Sequence, residues 1–291
     1  MKNIFNINIG KKKNDKKKND KNPGVLFGQV DQKTLHKNLS FTATEQYKLL
    51  RTNIEYTLPQ DEKCHVVGVT SSMRGEGKST TAINLSYVLA EKGSKVLIID
   101  GDLRIPSVAK KLQIKSKPGL TNLLMTKSSD VEGFKSELLD NWYIIPAGDI
   151  PPNPSELLGS NRMGKLLDAL KEQFDYIIID LPPVNIVSDA LSVSPFISGM
   201  VVVIREEYTE KKELTDCIRQ LGIVNVKILG CVLNEARSGN GSYSKYKYRK
   251  RRYGYGSGSG YGYGYGYGYG HYYKTHRDDS DDDSNNKEND K

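Results

Sequence analysis

Apolar residues along this chain gather into short runs separated by stretches with helical spacing. The runs are Val66 to Thr70, Val96 to Ile99, Tyr143 to Ile145, Tyr176 to Ile179, Met200 to Ile204 and Val226 to Leu233. They are continuous rather than alternating, the pattern of strands covered on both faces. Thr44 to Tyr56 places Tyr47, Leu50 and Ile54 on one helical face, with Thr44 as the expected cap. Ser79 to Glu91 predicts a second helix, closed by Gly93. Pro154 to Glu172 and Lys211 to Leu221 predict two more. Asn153-Pro154-Ser155-Glu156 is a helix start, with Asn as cap, Pro in the first turn and Glu behind it. Strands alternating with helices predict an α/β fold, a mostly parallel sheet flanked by helices on both faces.

The two ends depart from this pattern. Residues 1–38 read as a disordered basic arm, residues 39–236 as one globular domain, and residues 237–291 as a disordered Tyr/Gly-rich tail with an acidic end. The net charge of +8 is unevenly spread. Lys11 to Lys21 and Lys245 to Arg252 are basic blocks, and Arg277 to Asp283 is acidic. Each block reads first as a solvated segment. The lysine arm has a second reading, attraction to an anionic membrane surface. No apolar run approaches the roughly 20 residues a spanning helix needs, and no secretory leader is evident. Cys64, Cys217 and Cys231 form no CxxC, and the four histidines no ligand cluster, which argues for a reducing compartment and against structural zinc.

Candidate chemistry sits between the first two predicted internal elements. Thr70-Ser71-Ser72-Met73-Arg74-Gly75-Glu76-Gly77-Lys78-Ser79-Thr80-Thr81 ends a strand and opens a helix. Its GEGKST core is half of a phosphate-binding P-loop, with Ser72 where the first glycine usually stands. Gly75 and Gly77 let backbone N–H groups turn toward phosphate, and Glu76 and Thr80 complete the cradle. Lys78 is placed to reach the β- and γ-phosphates of ATP, and Ser79 to ligate Mg²⁺. Two further strands end in carboxylates, Asp100 with Asp102 and then Asp180. In a parallel sheet these ends share one edge, where ligands bind. Asp180 is the expected Mg²⁺ partner.

Together these motifs, with Pro151 to Leu158 and Gly230 to Asn234, resemble the bacterial tyrosine kinases, a branch of the P-loop ATPases with Walker A, A′ and B motifs. The resemblance covers about Thr44 to Asn234 and extends to the tail. It implies a free-standing cytoplasmic kinase, recruited to the inner face of the cell membrane by a membrane-spanning activator of the polysaccharide co-polymerase type. The implied process is capsule or exopolysaccharide production. It implies Asp100 as the base and Asp102 as a support for Mg²⁺. It also implies a closed homo-oligomer ring built through an ExxRxxR helix, here Glu45, Lys48 and Arg51, in which lysine keeps the middle charge but loses the bidentate fork. A protein-tyrosine phosphatase is the implied counterpart.

The tail gains meaning beside that site. Tyr253, Tyr255, Tyr261, Tyr263, Tyr265, Tyr267, Tyr269, Tyr272 and Tyr273 stand among glycines. They are expected to be autophosphorylation sites, modified in trans. A self-associating low-complexity segment and a nucleic-acid binder are the competing readings; no nucleic acid is expected. The runner-up function is an ATPase switch like the partition and division-site proteins, without kinase activity. Its signature lysine early in the loop is missing from Ser71 to Arg74. An adaptor with a recruiting tail would have no need of the three carboxylates.

Overall fold

The computed structural model describes residues 4–6, 39–126 and 130–236. The rest of the arm, and the tail with Tyr253, Tyr255, Tyr261, Tyr263, Tyr265, Tyr267, Tyr269, Tyr272 and Tyr273, lie outside the described residues. A parallel sheet forms the centre, with strand order β1-β7-β6-β2-β5-β3-β4. Its strands are β1 (Ile4–Asn6), β2 (His65–Ser71), β3 (Val96–Asp100), β4 (Trp142–Ile145), β5 (Tyr176–Asp180), β6 (Gly199–Arg205) and β7 (Ile228–Asn234). The six long runs of the sequence are β2 to β7. β1 is the addition: Ile4 to Asn6 was read as part of the arm, yet it pairs with Cys231 to Leu233 on the edge of β7. A strand this short carries too little periodicity to be seen beside a lysine-rich arm.

Alternate residues of each buried strand serve opposite cores. Val96 and Ile98 of β3 face one cluster, and Leu97 and Ile99 the other. The first cluster lies under α1 (Phe41–Thr57), α2 (Lys78–Glu91) and α3 (Val108–Leu112). The second lies under α4 (Leu120–Thr126), α6 (Asn161–Lys171) and α8 (Lys211–Ile223). The apolar runs are continuous for this reason, since neither face meets water.

Helix ends differ from expectation in two places. α1 starts three residues before Thr44, because Ser40 accepts a hydrogen bond from the Ala43 N–H at 3.2 Å. The stretch from Pro154 is not one helix but two, α5 (Pro154–Leu158) and α6. Gly159 interrupts it, and Ser160 then caps α6 by accepting from the Met163 N–H at 3.3 Å. α7 (Asp189–Ser192) is a single short turn beyond β5. Gly93, with φ of 114°, closes α2 as expected.

Candidate nucleotide and phosphoryl-transfer site

The central strand β2 delivers the loop, and its neighbours β5 and β3 deliver the carboxylates. Register pairs Val69 with Asp180 and Asp180 with Asp100, so both acids sit side by side at the C-terminal edge. The loop turns through Gly75 (φ 80°) and Gly77 (φ 100°), conformations open to glycine at little cost. A Cβ on Gly77 would lie 2.1 Å from Asn234 Nδ2. Asn234 Nδ2 donates to the Glu76 carbonyl at 2.9 Å, so the end of β7 fixes the loop from one side.

Glu76 is fully buried, and its carboxylate points into the loop. It accepts from Ser72 Oγ and from the Met73 N–H, both at 2.8 Å, and from the Thr209 hydroxyl. The Glu76 side chain is therefore a brace, and only its backbone remains for a nucleotide. This also accounts for Ser72 in place of glycine: its hydroxyl is one of the brace's partners. On the outer side, Tyr208 donates to the Arg74 carbonyl at 3.1 Å. Thr209 and Tyr208 were not anticipated. They sit over a hundred residues downstream of the loop, with no local pattern to mark them.

Lys78 Nζ lies 2.8 Å from Asp102 Oδ2, 3.4 Å from Asp180 Oδ1 and 3.3 Å from Ser79 Oγ. The lysine thus joins three of the expected residues in one cluster. Burial pulls its ammonium pKa down, but Asp180 and Asp102 outweigh burial and hold it above the usual lysine value. Asp180 is fully buried. Desolvation raises its pKa, and Lys78 and the Ser79 hydroxyl oppose that rise. Its Oδ2 is buried with no hydrogen-bond partner, an oxygen suited to a cation. Ser79, Asp102 and Asp180 fit Mg²⁺, which uses one or two carboxylates and completes its shell with water and phosphate oxygens. Among the described residues no three His, Cys, Asp or Glu side chains form a metal cage of their own.

Asp100 is placed differently. It is fully buried, and its carboxylate accepts from the N–H groups of Asp102 (3.2 Å), Ser107 (3.0 Å) and Val108 (2.9 Å). Burial, then repulsion from Asp180, pushes its pKa up to about 7. That value suits a base at neutral pH, while the bonds to residues 102–108 shut it off from the pocket. Asp102 is the carboxylate that lines the pocket.

The pocket, of about 730 Å³, runs along this edge from Lys78, Ser79 and Thr80 to Asp102. Arg74, Arg104, Lys111 and Arg205 also line it, so cations outnumber acids, as a polyphosphate requires. Lys111 Nζ lies 3.1 Å from the Thr80 hydroxyl. Arg104 makes two bonds to the buried Asp189, at 2.9 and 3.0 Å, tying the loop after β3 to α7. Away from the pocket, Glu45 and Lys48 form an exposed pair at 2.9 Å. Arg51 turns inward and donates to the Val88 carbonyl on α2 at 2.7 Å.

Known proteins resemble this chain in sequence and in fold. Residues 64–229 match a family described as an AAA domain. The chain is 39% identical over 191 residues to the tyrosine-protein kinase YwqD of Bacillus subtilis, covering 66% of this chain and 80% of that protein. It is 34% identical over 194 residues to the tyrosine-protein kinase CpsD of Streptococcus pneumoniae, covering 66% and 84%. Its structure matches the kinase domain of the Escherichia coli tyrosine kinase ETK with a TM-score of 0.66 at 27% identity, covering 82% of this chain and 94% of that one. With these relatives covered over most of their length, the chain belongs to the bacterial tyrosine kinases.

Proposed function

We propose that this kinase uses ATP and Mg²⁺ to phosphorylate the tyrosines of its own C-terminal cluster, Tyr253 to Tyr273, on a neighbouring copy. The observation that carries the reading is the cluster in which Lys78 joins Ser79, Asp102 and the buried Asp180 at the wall of a cation-rich pocket, in a chain that follows it with a tyrosine-rich tail. Lys78 would leave its carboxylates for the β- and γ-phosphates, and the loop N–H groups would hold the phosphate oxygens. Mg²⁺, held by Ser79 and Asp180 with Asp102 in support, would supply neutralising charge. The phenol oxygen attacks the γ-phosphorus. An O–P bond forms as the bond to the β,γ-bridging oxygen breaks, and ADP leaves.

The phenol's pKa is near 10, so a carboxylate must take its proton as attack proceeds. Asp100 has the pKa for that role, and reaching it requires the loop of residues 102–108 to open. Asp102 is the alternative acceptor already at the pocket wall.

Transfer between copies is part of this reading, since the tyrosines from Tyr253 to Tyr273 stand beyond the described domain in sequence. The ring would use Glu45 and Lys48, whose side chains are exposed, with Arg51 already bound to α2. A membrane-spanning activator would recruit the chain to the inner face of the membrane, and a phosphatase would reset the tail. Among the described residues no helix is long and apolar enough to cross a membrane. The test is incubation with Mg-ATP, with and without the membrane partner, followed by phosphotyrosine mapping. Phosphate on Tyr253 to Tyr273 supports the reading. Nucleotide binding with no phosphotyrosine in either condition removes it.

A further inference from the structure

The topology divides the pocket into two halves. Arg205, Asn234 and Glu235 line it from the ends of β6 and β7, on one side of the central strand β2. Asp102, Ile105 and the Pro182 to Val187 segment line it from the other side, after β3 and β5. The first half is polar. The second contains a wall of Ile105, Pro183, Ile186 and Val187. Ile105 is 52% exposed and Ile186 is 38% exposed, although most large apolar side chains of this domain are fully buried. Two exposed isoleucines in the lining of a pocket that also holds Arg74, Lys78, Arg104, Lys111 and Arg205 do nothing for a triphosphate.

Both stand on backbone that is hydrogen-bonded close to the phosphate loop and Asp102. The Ile105 N–H donates to Asp102 Oδ1 at 3.0 Å, so Ile105 is positioned by the very carboxylate that lines the pocket. Ile186 donates its N–H to the Pro183 carbonyl at 3.2 Å, and Val184 is bonded to the Ser71 carbonyl at the base of the P-loop at 3.0 Å. This apolar wall is thus fixed relative to Lys78 and Asp102. Its chemistry matches a flat ring with one polar tip.

We propose that Ile105 and Ile186, with Pro183 and Val187 behind them, form the acceptor-ring subsite. It clasps the phenyl ring of a tail tyrosine and presents the hydroxyl beside Asp102. The occupant is argued from the sequence of this chain, whose tail carries such rings in a row from Tyr253 to Tyr273. Tyrosines alternating with glycine give each ring no bulky neighbour to hinder its entry into the pocket. The inference rests on the kinase reading above and adds the residues that select the acceptor.

The experiment uses the full chain with its tail tyrosines replaced by serine, so that an added peptide SGYGYGYGYG is the acceptor. Ile105→Asn and Ile186→Asn are expected to raise the KM for this peptide by on the order of tenfold, the loss typical of one apolar contact. The KM for ATP should stay within about twofold, and Ile186→Leu should restore the peptide KM. A peptide FGFGFGFG, which keeps the ring and lacks the hydroxyl, should inhibit the unsubstituted enzyme competitively against the tyrosine peptide, and a GSGSGSGS peptide should not. A rise in the KM for ATP equal to that for the peptide would mean that the wall holds the adenine base, and would overturn the proposal. So would unchanged peptide KM values, or an FG peptide that fails to compete. If the parent enzyme phosphorylates neither this peptide nor its own tail, the kinase reading itself fails, an outcome distinct from those three.

Discussion

At the scale of single residues, the cluster around Lys78 makes the sharpest demands. The sequence suggested a lysine directed only at phosphate. In the folded chain it also neutralises Asp102 and Asp180, with its side chain 12% exposed. Lys78→Met should therefore do two things. It should abolish phosphotyrosine, and it should destabilise the nucleotide-free protein by about 3 kcal/mol at pH 8, since it leaves buried carboxylates unpaired. The loss should be smaller at pH 5, because burial raises the Asp180 pKa and so favours its neutral form as pH falls. Urea denaturation at both pH values measures this. Unchanged stability at pH 8 would mean that the ion cluster carries no weight.

Asp100 makes a separate prediction about pH. Its pKa is pushed up to about 7 in the folded chain, against 3.8 for an aspartate free in solution. Between those values the native state holds a proton that the unfolded state has released. Stability must then fall as pH rises from about 4 to about 7. Asp100→Asn removes this titration, so its stability curve should be flatter than that of the parent across that window. Parallel curves would show that Asp100 does not titrate there. In transfer assays, Asp100→Asn and Asp102→Asn separate the two candidate bases. If Asp100 takes the proton, its variant loses transfer and keeps nucleotide affinity. If the Asp102 variant alone behaves so, the role belongs to Asp102.

At the scale of elements, the strand–loop–helix unit is the part most open to reading in advance. Continuous apolar runs and the GEGKST turn are local signals, and β2 followed by α2 lies where they indicate. The three strand-end acids were legible for the same reason, because a parallel sheet brings such ends to one edge. What escaped was carried by contacts between distant positions. The Arg104–Asp189 pair, the Thr209 and Ser72 bonds to Glu76 and the Asn234 clamp link segments with no shared periodicity. The break at Gly159 was hidden because α5 and α6 both continue an apolar helical spacing. Gly77→Ala tests the loop directly. It would force a Cβ into Asn234 Nδ2 at a φ of 100°, so nucleotide affinity should fall by at least tenfold with the sheet intact. Fluorescent-nucleotide titration and circular dichroism read the two parts separately. Ser160→Ala tests the second helix: loss of its cap should cost about 1 kcal/mol in thermal unfolding, with activity unchanged.

At the scale of the whole molecule, the tyrosine-rich stretch that follows the described domain is the proposed phosphate acceptor. Each phosphotyrosine adds about −1.5 to −2 charges at neutral pH. Six of them would outweigh the basic block at Lys245 to Arg252, so a phosphorylated assembly should come apart. The effect should weaken as salt rises, because the Debye length near physiological salt is about 8 Å. Light scattering before and after ATP, at low and high salt, checks this. An unchanged mass at low salt with the tail fully phosphorylated would rule out a charge switch.

Transfer of phosphate from one copy to the tail of another is the central claim, and a mixing experiment tests it most directly. One partner is the full chain with Lys78→Met and an intact tail. The other is an active chain whose tail tyrosines are changed to phenylalanine. Mixed with Mg-ATP and the membrane activator, they leave the inactive copy as the only bearer of tail tyrosines. The account predicts phosphate on Tyr253 to Tyr273 of that copy. Absence of phosphate there, with the unmixed parent chain phosphorylating itself under the same conditions, would contradict it.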